Sequence, residues 1–148
     1  MGQPMRKRFT YKKGQAVIEL IASIFTFVML LVLIASVSIY LYVQNAVVSA
    51  VREGARIAAL NDDLSGTPAE VAAAIDEIKV EVQDYMLTTT GQTLTDEQVT
   101  VTEPDAAEPV GNRSVTVAIT YEMDSPFPVF SYLSNIPVEA VATMRYEE

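Results

Sequence analysis

Between Lys13 and Arg52 only one side chain carries a charge, and it is Glu19. A carboxylate in an apolar run costs on the order of 2.5–3.5 kcal/mol near a bilayer centre and less near its edge, so a residue of this type needs a partner or a task. Gly14, five residues earlier, is the one position between the basic leader and the apolar run that lets another protein approach the backbone closely. Other candidate chemistry is sparse. The chain has neither His nor Cys. That excludes a Ser-His-Asp triad, thiol nucleophiles and disulfides, and leaves only carboxylates for zinc. Asp62-Asp63 and Asp96-Glu97 have the ligand type for a hard cation but not the regular spacing of a calcium loop, and read as solvated acids. Asp76, Glu77, Glu81 and Asp84 have nothing nearby to tune their pKa values. The reading contains no catalytic residue, no cofactor and no metal site, and predicts no enzyme. Asn112-Arg113-Ser114 fits a glycosylation triplet and is read first as loop.

The element that must hold Glu19 is a membrane helix. Leu20 to Val43 supplies 24 residues without a charge, where a bilayer core needs roughly 20 in helical form. Net charge is −9, but five of the ten basic residues (Arg6, Lys7, Arg8, Lys12, Lys13) precede Gly14 and all 19 acids follow it. A basic flank stays on the cytoplasmic side, so the expected topology is a single pass of the inner membrane with the acidic C-terminal part outside. An acidic exported part argues against a nucleic-acid partner, and nothing marks a small-molecule substrate. A secretory signal has an apolar region of roughly 7–15 residues and a small-residue cleavage site; this run is longer and lacks that site, so the segment is expected to be retained.

Beyond the span, Gln44 to Leu60 has neither Pro nor a turn cluster, and Ala46, Ala50, Gly54 and Ala58 recur every fourth residue. Such a stripe of small residues lets another element pack closely. One helix from Gln15 to Leu60, about 69 Å at 1.5 Å per residue, is therefore expected as a spine. Thr67-Pro68-Ala69-Glu70 reads as a capped helix start. Val71, Ile75, Ile78, Val82 and Tyr85 then mark an amphipathic helix to about Leu87, with Gly91 as the stop. Alternation in Gln98–Thr102, Ser114–Tyr121 and Val138–Tyr146 predicts three short strands of an antiparallel sheet. The fold class is α+β: a transmembrane spine, one further helix and a roughly three-stranded sheet. Phe127, Phe130, Tyr132 and Leu133, in the loop before the last strand, are read as a cover for the core edge, with a partner-binding surface as the other reading.

A basic leader, a Gly, and an acid five residues on in a charge-free run resemble the processing site of a type IV prepilin. Gly14-Gln15-Ala16-Val17-Ile18-Glu19, Ala50-Val51-Arg52-Glu53-Gly54-Ala55-Arg56-Ile57-Ala58-Ala59 and Ala142-Thr143-Met144-Arg145-Tyr146-Glu147 are similar to TadE-like pseudopilins of the tight-adherence (Flp-type) pilus systems. Leu60 to Asn112 is largely unmatched. The resemblance implies a minor pilin-like subunit that primes, caps or joins a fibre used for adhesion. It implies cleavage after Gly14 by a prepilin peptidase, Gln15 as mature N-terminus and Glu19 as the assembly carboxylate. The implied partners are that peptidase, other pilins of the same system and membrane lipid. The expected parts are a leader (1–14), an assembly helix (15–43), its exported continuation (44–60) and a head (61–148). Unlike type IV pilins at large, the mature chain would start with Gln rather than Phe, and no Pro interrupts the helix. Gly14 and Glu19 alone also suit a pilin of another type IV-like or archaeal filament, which would lack the Arg-Glu-Gly-Ala-Arg segment. A membrane-anchored binding protein would stay uncut.

Overall fold

The computed structural model describes residues 10–105, 107–109, 112–123 and 136–146, and for residues 10–13 the backbone alone. The elements in order are helix α1 (Thr10–Ala59), helix α2 (Pro68–Thr90) and strands β1 (Val99–Thr102), β2 (Ser114–Met123) and β3 (Ile136–Arg145). Single 3-10 turns cover Asp62–Ser65 and Asp96–Gln98. The chain divides into two compact units, one ending at Ser38 and one running from Ile39.

In the first unit α1 is apolar on all sides, with Leu20, Ile24, Phe27, Leu31 and Ile34 exposed. It satisfies its hydroxyls internally. Ser23 donates to the Glu19 carbonyl at 2.8 Å, Thr26 to Ala22 at 2.9 Å, Ser36 to Val32 at 2.9 Å and Ser38 to Ile34 at 2.8 Å. In hydrocarbon an unsatisfied polar group costs several kcal/mol, so these i to i−4 bonds are what make four hydroxyls compatible with a membrane span. The helix is long and apolar enough to cross a membrane, with a mean hydropathy of 2.8 in its most apolar window.

The second unit is an α+β head built around the other part of α1. Val47, Ala50, Val51, Ala55 and Ala58 are buried, while Ser49, Arg52 and Arg56 face outward. The last turn tightens, with Leu60 N–H donating to Ile57 O at 3.2 Å and Asn61 N–H to Ala58 O at 3.3 Å. The Asn61 side chain then caps the turn at Asp62–Ser65 by accepting from Asp63 N–H at 3.0 Å.

Helix α2 starts where the capping box predicts, Thr67 N–H donating to Glu70 Oε2 at 2.6 Å. This bond to the carboxylate lowers the Glu70 pKa from its ordinary value. The helix ends at Gly91, whose φ of 72° is the left-handed conformation glycine adopts without a Cβ penalty, and whose N–H reaches Leu87 O at 2.9 Å. Its end lies three residues past the expected one because the helix runs up to the stop at Gly91 itself, and the Thr90 hydroxyl in the last turn donates to Met86 O at 2.8 Å. The face turned inward is Ala74, Ile78, Val82 and Met86, with Val71, Ile75 and Tyr85 flanking it.

The sheet order is β1-β2-β3, all antiparallel, with Val101 opposite Val117 and Val117 opposite Ala142. Val99, Val115, Val117, Ile119 and Val138 point into the core. On the other face Thr116 and Thr143 sit directly opposite and share a hydroxyl bond of 2.9 Å. β3 begins at Ile136 and so includes Pro137, which an edge strand tolerates because its lost N–H faces away from the ladder. Each of the fully buried Ile78, Met86 and Ile119 contributes about 1.5–3 kcal/mol by leaving water.

Candidate assembly site

Gly14, Gln15 and Glu19 all lie within α1, which begins at Thr10 and passes through Gly14 without a break. Gln15 and Glu19 are four residues apart and share one face of the helix. All three are exposed. A Cβ at Gly14 would meet nothing within 4 Å, so local crowding is not what calls for glycine there. Among the described residues no hydrogen bond or ion pair reaches the Glu19 carboxylate. Glu19 shares a shallow, open concavity with Ala22, Ser23, Thr26, Phe27 and Leu30. Two of these carry hydroxyls already committed to backbone carbonyls, and two apolar side chains close its far end. The surface therefore presents one carboxylate beside Ala22, Ser23 and Thr26. Ser23 and Thr26 were not singled out in the sequence, although their spacing of four and seven from Glu19 places them on its face.

Ala46, Ala50, Gly54 and Ala58 are buried in the head. Gly54 has the tightest surroundings, since a Cβ built on it would lie 2.5 Å from Val82 Cγ2 and 3.4 Å from Val117 Cγ1. This glycine brings α1 into direct contact with both α2 and the sheet. Two tyrosines fasten the same assembly by their hydroxyls. Tyr42 donates to the Thr89 carbonyl at the end of α2. Tyr146 donates to the Asn61 carbonyl at 2.9 Å, while its own N–H bonds Arg113 O at 2.9 Å. Phe127, Phe130, Tyr132 and Leu133 lie outside the described residues. Among the described residues no group of three or more His, Cys, Asp or Glu could hold a metal ion.

An apolar N-terminal helix long enough to cross a membrane thus precedes an α+β head whose core includes the same helix's C-terminal part. Residues 14–56 match the family model described as TadE-like protein, so this part of the chain is similar to TadE-like proteins. No curated protein and no solved structure matches the chain.

Proposed function

We infer that this chain is a minor pseudopilin of a Tad/Flp-type pilus, cut after Gly14 by a prepilin peptidase and then used to prime, cap or join the fibre. The observation that carries this reading is the start of the TadE-like match at Gly14, from which it runs through Glu19 to Arg56. A peptide bond in a regular helix must unwind to be cut. Gly14 lies within α1 and costs about 1 kcal/mol against Ala in a helix, which makes it an easy place to open.

Cleavage creates an α-ammonium at Gln15, with a reference pKa of about 7.7–8.0. In a fibre, the ammonium of an incoming chain faces Glu19 of its neighbour. A carboxylate left alone in lipid is costly, so a pair formed only on docking selects one axial register. The head stands outside the inner membrane, the leader inside, and the working partners are the peptidase, other pilins of the system and lipid. Replacing Glu19 by Ala should leave membrane insertion and head folding intact while abolishing entry into fibres. Fibre counts and cross-linking into fibres, normalised to membrane abundance, measure this. Ordinary assembly of the Glu19→Ala chain would reduce Glu19 to an interfacial residue.

A further inference from the structure

The head is acidic, yet two of its few arginines meet in one place. Arg56 and Arg145 line a shallow cavity with Ala59, Leu60 and Met144. Leu60 is 59% exposed. Arg56 is held by Glu53 at 2.9 Å, but both side chains are exposed, and a surface pair of this kind is worth too little to keep the guanidinium from another carboxylate. The opposite chemistry lies on α2, which carries five acids and one base, Lys79. Glu77, Val80, Asp84 and Leu87 follow one another at spacings of three, four and three and so form a single stripe. All four are exposed, Val80 to 63% and Leu87 to 47%. Val80 is thus an uncovered apolar side chain between two carboxylates, and Leu60 is an uncovered apolar side chain in a cavity lined by two arginines.

We propose that the Glu77–Val80–Asp84–Leu87 stripe of one copy docks into the Arg56–Leu60–Arg145 cavity of a second copy. The carboxylates of Glu77 and Asp84 face the two arginines, and Val80 covers Leu60. A second copy is the occupant because both halves of the match are on this chain. Stripe against stripe would set acid against acid, and cavity against cavity Arg against Arg, and like-charge repulsion disfavours both. The contact is therefore heterologous. The two surfaces share no residue, so one head uses both at once, and contacts of that kind propagate along a filament unless a ring closes them. The proposal rests on the pilin-like reading for its setting, the membrane or fibre in which heads stand side by side.

The chain has no Cys, so engineered pairs give a clean readout. Full-length chains carrying Leu60→Cys and Val80→Cys, with different tags, are co-expressed in cells that hold the assembly system, and are oxidised in the membrane. A mixed Leu60–Val80 adduct is expected, and a chain with both substitutions should give a ladder. Arg145→Glu in the Leu60→Cys chain should cut the mixed adduct by roughly tenfold, and Asp84→Arg in the Val80→Cys chain should restore it. Both charge changes are at exposed positions, so loss of folding does not confuse the result. Adducts of like with like, or a Leu60→Cys chain that captures only other proteins, would overturn the proposal. So would the absence of any adduct when intact mass shows cleavage at Gly14, and that result leaves the pilin-like reading standing. A mixed adduct from uncut chains supports the contact and counts against processing alone.

Discussion

Gly54→Ala tests how closely α1 is pressed into the head. Two effects oppose each other. Alanine in place of glycine favours the helix by about 1 kcal/mol. Against that, the new methyl would lie 2.5 Å from Val82 Cγ2, where carbon atoms prefer about 3.5–4.0 Å. The clash cannot be relieved cheaply, because Val82 is fully buried and β-branched, with a stiff χ1, and Val117 stands 3.4 Å away on another side. Overpacking of this kind costs about 1–3 kcal/mol. The net expectation is a loss of about 1 kcal/mol for Gly54→Ala, and a loss near the upper end of that range for Gly54→Leu, which adds three further carbons. In a Val82→Ala background the obstructing methyl is gone, so Gly54→Ala should there stabilise by up to about 1 kcal/mol. The coupling between the two sites is then roughly 2 kcal/mol, within the range for residues in contact. Urea unfolding of the full-length chain in detergent, followed by near-ultraviolet circular dichroism of the head tyrosines, measures all four corners of the cycle. A Gly54→Ala chain more stable than the parent, or two additive substitutions, would refute the close approach.

Tyr146→Phe removes the hydroxyl that ties the chain's last described residue to Asn61 O, a bond worth about 0.5–1.5 kcal/mol. The lower half of that range is expected, because Leu64 N–H still donates to the same carbonyl at 3.2 Å; the urea midpoint and exchange of the Leu64 amide report it. Glu70 gives a pH signature. Its native pKa is lowered by the Thr67 N–H, so its contribution is complete above the unfolded value and disappears as pH falls through the native one. Glu70→Gln cannot titrate, and should flatten that acid-side decline in a comparison of unfolding midpoints across the carboxylate range.

What the sequence discloses and what it hides divide along local and non-local lines. The apolar run after Glu19, the capping box at Thr67 and Glu70, the αL stop at Gly91 and the alternation through Val115, Val117 and Ile119 are all set by neighbours within a few residues. The small-residue stripe announces a close approach, but not its partners; that Val82 and Val117 fill the space beside Gly54 depends on a helix 28 positions and a strand 63 positions later in the chain. The hydroxyls of Tyr42, Tyr121 and Tyr146 find Thr89, Gln92 and Asn61, pairings with no local periodicity to betray them. Leu64 stands among polar neighbours in Asn61–Thr67 yet is buried, in the turn at Asp62–Ser65. Helix α2 turns Met86 inward and leaves Tyr85 partly exposed, a rotation of one residue that helical spacing alone does not fix. Gly14 and Glu19 stand out in the sequence by their spacing and the lack of other charges, and the structure places both exposed on α1, whereas the cavity lined by Arg56 and Arg145 joins residues 89 positions apart.

Cleavage by a peptidase after Gly14 is the step on which the proposed function rests. Intact-mass spectrometry of the protein extracted from membranes of peptidase-positive cells tests it most directly. A mature chain beginning at Gln15 is expected, with accumulation of the longer precursor when Gly14 is replaced by a bulky residue or the peptidase is removed. A chain that still begins at Met1 in peptidase-positive cells would contradict it.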